Sequence, residues 1–174
     1  ASVGCLYSYQ KDTGLTQLLD GFITPNGMAF SPDGRTMYLS DSHPSVQSVW
    51  SFDYDTEAGT PSNRRLFIDM NAYPGRPDGA AVDVQGNYWV AMYEGACVLQ
   101  LSPSGSVLQR LATPVECPTM VCFGGDDLRT LYVTSARSGR PEAEKNAAVP
   151  AGSLLSTRVD TAGLPVNSFF AHIL

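Results

Sequence analysis

The chain has 174 residues, 43% of them hydrophobic and 16% charged, which suits a globular core and excludes a disordered tail. Acids outnumber bases 17 to 11, for a net charge of −6; a nucleic-acid partner, which needs a basic surface, is therefore not expected. A membrane partner is not expected either, because no apolar run approaches the roughly 18 residues of a span, and the opening ASVGCLYSYQ lacks the basic start and apolar centre of a signal peptide.

In chain order, Gly4-Cys5-Leu6-Tyr7-Ser8-Tyr9 and Thr16-Gln17-Leu18-Leu19 read as two strands, the last two of a blade that begins elsewhere. A repeat follows. Its first copy is Pro25-Asn26-Gly27-Met28-Ala29-Phe30, a turn at Ser31-Pro32-Asp33-Gly34, and Met37-Tyr38-Leu39-Ser40-Asp41. The second runs from Pro77-Asp78-Gly79-Ala80-Ala81-Val82 through Asp83–Asn87 to Tyr88-Trp89-Val90-Ala91, and the third from Pro118-Thr119-Met120-Val121-Cys122-Phe123 through a Gly/Asp turn to Leu131-Tyr132-Val133-Thr134. The copies start 52 and then 41 residues apart.

Two more strands follow the first copy, Ser48–Tyr54 and Arg65–Asp69, and two follow the second, Cys97–Leu101 and Val107–Leu111. The alternation of Trp50, Phe52 and Tyr54 is that of a half-buried strand. The turns Thr56-Glu57-Ala58-Gly59 and Ser102-Pro103-Ser104-Gly105 suit hairpins. Four antiparallel strands per 40 to 50 residues is a β-propeller blade by size and strand count. No helix is predicted. Pro141–Asn146 reads as a surface loop and Gly152–Ser156 as another strand. At about 45 residues per blade the chain supplies fewer than four blades, so residues 1–174 are expected to form a partial, all-β propeller completed by N-terminal blades elsewhere. The close at Ile173-Leu174 reads as another interrupted blade.

Asn26 and Asp78 hold the same slot of successive repeats, each between a Pro and a Gly. Pro stiffens the approach and Gly allows a sharp turn, which would aim both side chains at a shared channel mouth. An amide carbonyl and a carboxylate are hard ligands for Ca²⁺, Mg²⁺ or Mn²⁺, while the competing reading of Asn-Gly and Asp-Gly is a plain turn, as at Asp33-Gly34. The third repeat has Thr119 in the slot, a hydroxyl rather than a charged ligand. His43 and His172 lack metal-ligand spacing, and with no G-x-S-x-G elbow a serine triad has no support. No P-loop or G-x-G-x-x-G occurs either. Asp41 reads as a turn cap, Trp50 and Trp89 as core, and Arg64-Arg65 as a solvated pair. Cys5, Cys97, Cys117 and Cys122 make no C-x-x-C and read as buried free thiols of a reducing compartment, hence a cytoplasmic protein, with a disulfide as the alternative on export.

The series PNGMAFSPDGRTMYLSDS, VWSFDYDTEAGTPSNRRLF, RPDGAAVDVQGNYWVAMYEGACVLQLSPSG and CFGGDDLRTLYVTSAR resembles the regucalcin (senescence marker protein)/gluconolactonase-like family. The resemblance implies a six-bladed β-propeller, hydrolysis of sugar lactones and one divalent cation, Ca²⁺ first, with Zn²⁺, Mg²⁺ or Mn²⁺ as alternatives. It assigns metal ligation to Asn26 and Asp78, and the general-base role to Asp78. A third family ligand, a Glu near the N-terminus, has no counterpart here, and neither do the early-blade Arg and Asn residues that contact substrate. The chemistry implied is a cation polarising the lactone carbonyl, with Asp78 taking a proton from the attacking water or orienting it. Two alternatives stand beside it: a non-catalytic calcium-binding or regulatory propeller, and a metal-dependent hydrolase of another ester or an organophosphate.

Overall fold

The segments richest in aromatic and β-branched residues pair as antiparallel ladders in a computed structural model, which describes residues 3–167. β1 (Gly4–Gln10) and β2 (Gly14–Phe22) form a two-stranded sheet. β3 (Pro25–Phe30), β4 (Thr36–Asp41), β5 (Ser48–Asp55) and β6 (Thr60–Asp69) form a four-stranded sheet in chain order. A second four-stranded sheet contains β7 (Arg76–Val82), β8 (Tyr88–Tyr93), β9 (Cys97–Leu101) and β10 (Val107–Ala112), again in chain order. β11 (Pro118–Gly124), β12 (Thr130–Ser135) and β13 (Leu155–Arg158) form a three-stranded sheet. The third repeat therefore shows three strands among the described residues, not four, and β13 starts later than the sequence suggests.

The sheets stack through their faces. β8 shows why its sequence is apolar throughout: Tyr88, Val90 and Met92 pack against the β3–β6 sheet, while Trp89 and Ala91 face Val121, Phe123 and Leu131 of the β11–β13 sheet. A strand buried on both faces needs no polar alternation. A third layer joins Phe22 to Met37, Leu39 and Phe52. Each large apolar side chain fully buried here contributes about 1.5–3 kcal/mol. Consecutive first strands lie side by side, β3 along β7 and β7 along β11.

Several expectations need correction. Glu142–Lys145 forms a short helix, α1, where a loop was expected; Arg140, just ahead of it, pairs with Glu144. Cys97 and Cys117 are buried, but Cys5 is half-buried and Cys122 is exposed. Cys122 lies opposite Tyr132, on the β11–β13 face turned away from Trp89. Trp50 is only half-buried, and Arg64 is not simply solvated: its guanidinium lies 4.0 Å from the Trp50 ring centre and 4.8 Å from that of Phe22. Trp89 is core, Asp33-Gly34 makes the β3–β4 turn, and all four cysteines are free. His172 and the Ile173-Leu174 close lie outside the described residues.

Candidate metal centre

Antiparallel pairing sets the start of β3 beside the end of β4, with Pro25 opposite Asp41, and the start of β7 beside the end of β8, with Arg76 opposite Tyr93. The first strands being neighbours, Asn26 and Asp78 come together at one end of the molecule. Both are half-buried, and Asn26 Nδ2 donates a hydrogen bond to Asp78 Oδ1. Asn26 Oδ1 accepts from the Gly27 N–H at 3.0 Å. Burial pushes the Asp78 carboxyl above its ordinary value; the Asn26 donor, the nearby charge of Arg76 and the Gly79 N–H pull the other way.

The backbone around the pair is closely held. Gly27 has φ +56°, and a Cβ there would lie 2.5 Å from Tyr88 Oη, 2.7 Å from Ser40 Oγ and 2.9 Å from the Asp78 carbonyl. Only glycine fits both the conformation and the space. Tyr88 Oη donates to the Gly27 carbonyl at 2.7 Å, and Ser42 Oγ donates to the Pro77 carbonyl. Asp41 is a turn cap, as expected: its carboxylate accepts from the N–H groups of Ile23 at 2.8 Å, Thr24 at 3.0 Å and His43 at 3.1 Å. Sequence reasoning missed Ser42 and Tyr88. Their partners are backbone carbonyls of another sheet, which no motif announces.

Other candidates stay outside the pair. The ring of His43 is engaged within its own turn, Nδ1 meeting Ser45 Oγ at 2.7 Å. Thr119 and Thr134 share a hydroxyl–hydroxyl bond of 2.8 Å on the adjoining sheet. Arg76 pairs with Glu94 at 2.9 Å and lies 4.9 Å from the Tyr93 ring centre. Among the described residues no group of three or more His, Cys, Asp or Glu side chains could hold a metal ion. The adjacent amide and carboxylate are hard-oxygen donors of the kind Ca²⁺ and Mg²⁺ take, so they fit a divalent cation as part of a set rather than as a whole one.

The family model described as SMP-30/Gluconolactonase/LRE-like region matches residues 1–137. The chain belongs to this family. One family relative, a 6-deoxy-6-sulfogluconolactonase of Pseudomonas putida, is 47% identical over 139 residues, covering 79% of this chain and 47% of that protein. A pentonolactonase of Haloferax volcanii is 35% identical over 166 residues, covering 93% and 56%. Among solved structures, the calcium-binding protein regucalcin from Agrobacterium tumefaciens superposes with a TM-score of 0.86 at 28% identity, covering 94% of this chain and 55% of that one. The chain thus spans about half the length of the family members it matches.

Proposed function

We propose that this chain supplies roughly the last three to four blades, residues 1–174, of a six-bladed β-propeller, and that the whole protein hydrolyses sugar lactones using one divalent cation held in part by Asn26 and Asp78. The observation that carries this reading is the meeting of those two side chains from equivalent slots of adjacent sheets. The lactonase names of two relatives support the substrate class. Calcium is the first candidate, since the donors are hard oxygens and a solved neighbour is described as calcium-binding; Zn²⁺, Mg²⁺ and Mn²⁺ accept the same donors. The other ligands and the substrate-contacting residues would come from the remaining N-terminal blades. The four free cysteines accord with a cytoplasmic setting.

When bound, the cation supplies Lewis-acid polarisation of the lactone carbonyl. Asn26 offers an oxygen without adding a second negative charge. Asp78 would take the proton of the attacking water at its carboxylate or, where ligation lowers its basicity, orient that water for attack. Water adds to the acyl carbon, the ring C–O bond breaks, the departing ring oxygen takes up the proton removed from the water, and a hydroxy acid leaves.

The test is lactone turnover by the full-length protein, with and without chelator, beside Asp78→Asn. Turnover lost on chelation and in the variant supports the reading. Near-normal turnover by Asp78→Asn with cation bound overturns it. Calcium binding without turnover of any lactone selects the second reading, a non-catalytic calcium-binding propeller, which the description of the regucalcin neighbour favours.

A further inference from the structure

Asn26 and Asp78 belong to different sheets, so no backbone ladder fixes the gap between them. Among the described residues, three side-chain hydrogen bonds cross it. One is the direct bond from Asn26 to Asp78. The other two flank the pair reciprocally. Ser42, just past β4, reaches the carbonyl of Pro77, the residue before Asp78. Tyr88, on β8, reaches the carbonyl of Gly27, the residue after Asn26. Each sheet thus grips the other within one residue of a candidate ligand.

We propose that Ser42 and Tyr88 are positioning residues, a pair of clasps that set the Asn26–Asp78 separation for a divalent cation. This rests on reading Asn26 and Asp78 as cation ligands. A cation takes oxygen and repels an N–H donor, so ligation through Asp78 Oδ1 competes with the direct Asn26–Asp78 hydrogen bond. The clasps use neither ligand side chain and survive that change. Both are themselves well fixed. Ser42 N–H donates to the Thr24 carbonyl at 2.9 Å, and Asp41 beside it gathers three N–H groups. Tyr88 is fully buried, and burial raises its phenol pKa, which keeps the hydroxyl a donor. The outer partners that orient metal ligands typically govern affinity by 10- to 100-fold.

The experiment is calorimetric titration of the full-length protein with Ca²⁺, beside melting in chelator, for Ser42→Ala, Ser42→Thr, Tyr88→Phe and the Ser42→Ala/Tyr88→Phe double variant. Each single hydroxyl loss should weaken calcium binding by about 10-fold or more, with Ser42→Ala melting within a few degrees of wild type and Ser42→Thr restoring affinity. Wild-type affinity in both Ser42→Ala and Tyr88→Phe overturns the clasps while leaving the cation reading intact. If the wild-type protein binds none of Ca²⁺, Mg²⁺, Mn²⁺ and Zn²⁺, the cation reading fails, and crystal structures decide the clasps: a widened Asn26–Asp78 gap in the double variant supports them, and an unchanged gap overturns them.

Discussion

Asn26 and Asp78 lie 52 positions apart in the chain and touch side chain to side chain. Without a cation, that contact holds a carboxylate that burial makes reluctant to ionise. The folded-state pKa of Asp78 lies above the unfolded value of 3.8, so between those two values the folded protein binds more protons. Asp78 therefore subtracts stability as pH rises through that window, and the cost persists above it. In chelator at pH 7, Asp78→Asn should melt higher than wild type. The difference should shrink as pH falls towards 3.8. Calcium should raise the melting temperature of wild type and leave the variant unmoved. Thermal melts across pH, with and without calcium, check this. Taking differences removes the contribution of groups such as Asp53, whose exposed carboxyl Arg65 and Asn63 hold down at about 2 and whose small stabilisation is lost as pH falls in both proteins.

Gly27→Ala tests how tightly the same junction is built. The new methyl would meet Tyr88 Oη, Ser40 Oγ and the Asp78 carbonyl, at a positive φ. Strain and overpacking each cost about 1–3 kcal/mol, so a loss of about 2 kcal/mol or more is expected in urea denaturation. Gly34→Ala, also at positive φ but 3.4 Å or more from its nearest neighbour, should cost less. Equal losses would mean that backbone conformation alone, and not the close approach of the two sheets, demands glycine at 27.

Asp83 is completely buried after β7. Its carboxylate accepts from Trp89 Nε1 at 2.9 Å, Gln100 Nε2 at 3.3 Å, Asn87 Nδ2 at 2.9 Å, and the N–H groups of Gln85 and Asn87, each at 2.9 Å. Removing it strands several donors, each costing about 1–3 kcal/mol when buried and unsatisfied. Asp83→Ala should lose more than about 3 kcal/mol, measured by chemical denaturation. Asp83→Asn keeps an acceptor and should lose less.

The repeat made the sheets legible in the sequence, since a Pro, a turn and an aromatic-rich strand recur at each copy, and it put Asn26 and Asp78 in one slot. What stayed hidden depends on contacts between sheets. Asp83 sits in a polar turn by sequence, and only the packing of Trp89 and Gln100 over it shows a buried hub. Trp50 alternates like a core residue yet lies half-open, packed on the cluster of Phe22, Met37, Leu39 and Phe52 with Arg64 over its ring. Pro141–Asn146 lacks helical periodicity over such a short span; the Arg140–Glu144 pair, four residues apart, shows only once the backbone turns.

The segment between β12 and β13 is tied back to the strand that carries Asp78. Arg140 pairs with Glu144 at 2.8 Å and reaches Glu94 at 3.6 Å, and Glu94 in turn pairs with Arg76, two residues before Asp78. Glu94 is 48% exposed in its side chain, so these pairs are worth little to global stability, about 1 kcal/mol or less. Their consequence is local order. Glu94→Ala should barely move the denaturation midpoint yet speed trypsin cleavage after Arg137 and Lys145, because the segment loses its anchor while the sheets keep theirs. Unchanged cleavage in that variant would assign the anchoring to Arg137, whose Nη1 donates to the Ala151 carbonyl at 3.2 Å, and Arg137→Ala, which removes its own cleavage site, would then speed cleavage after Lys145.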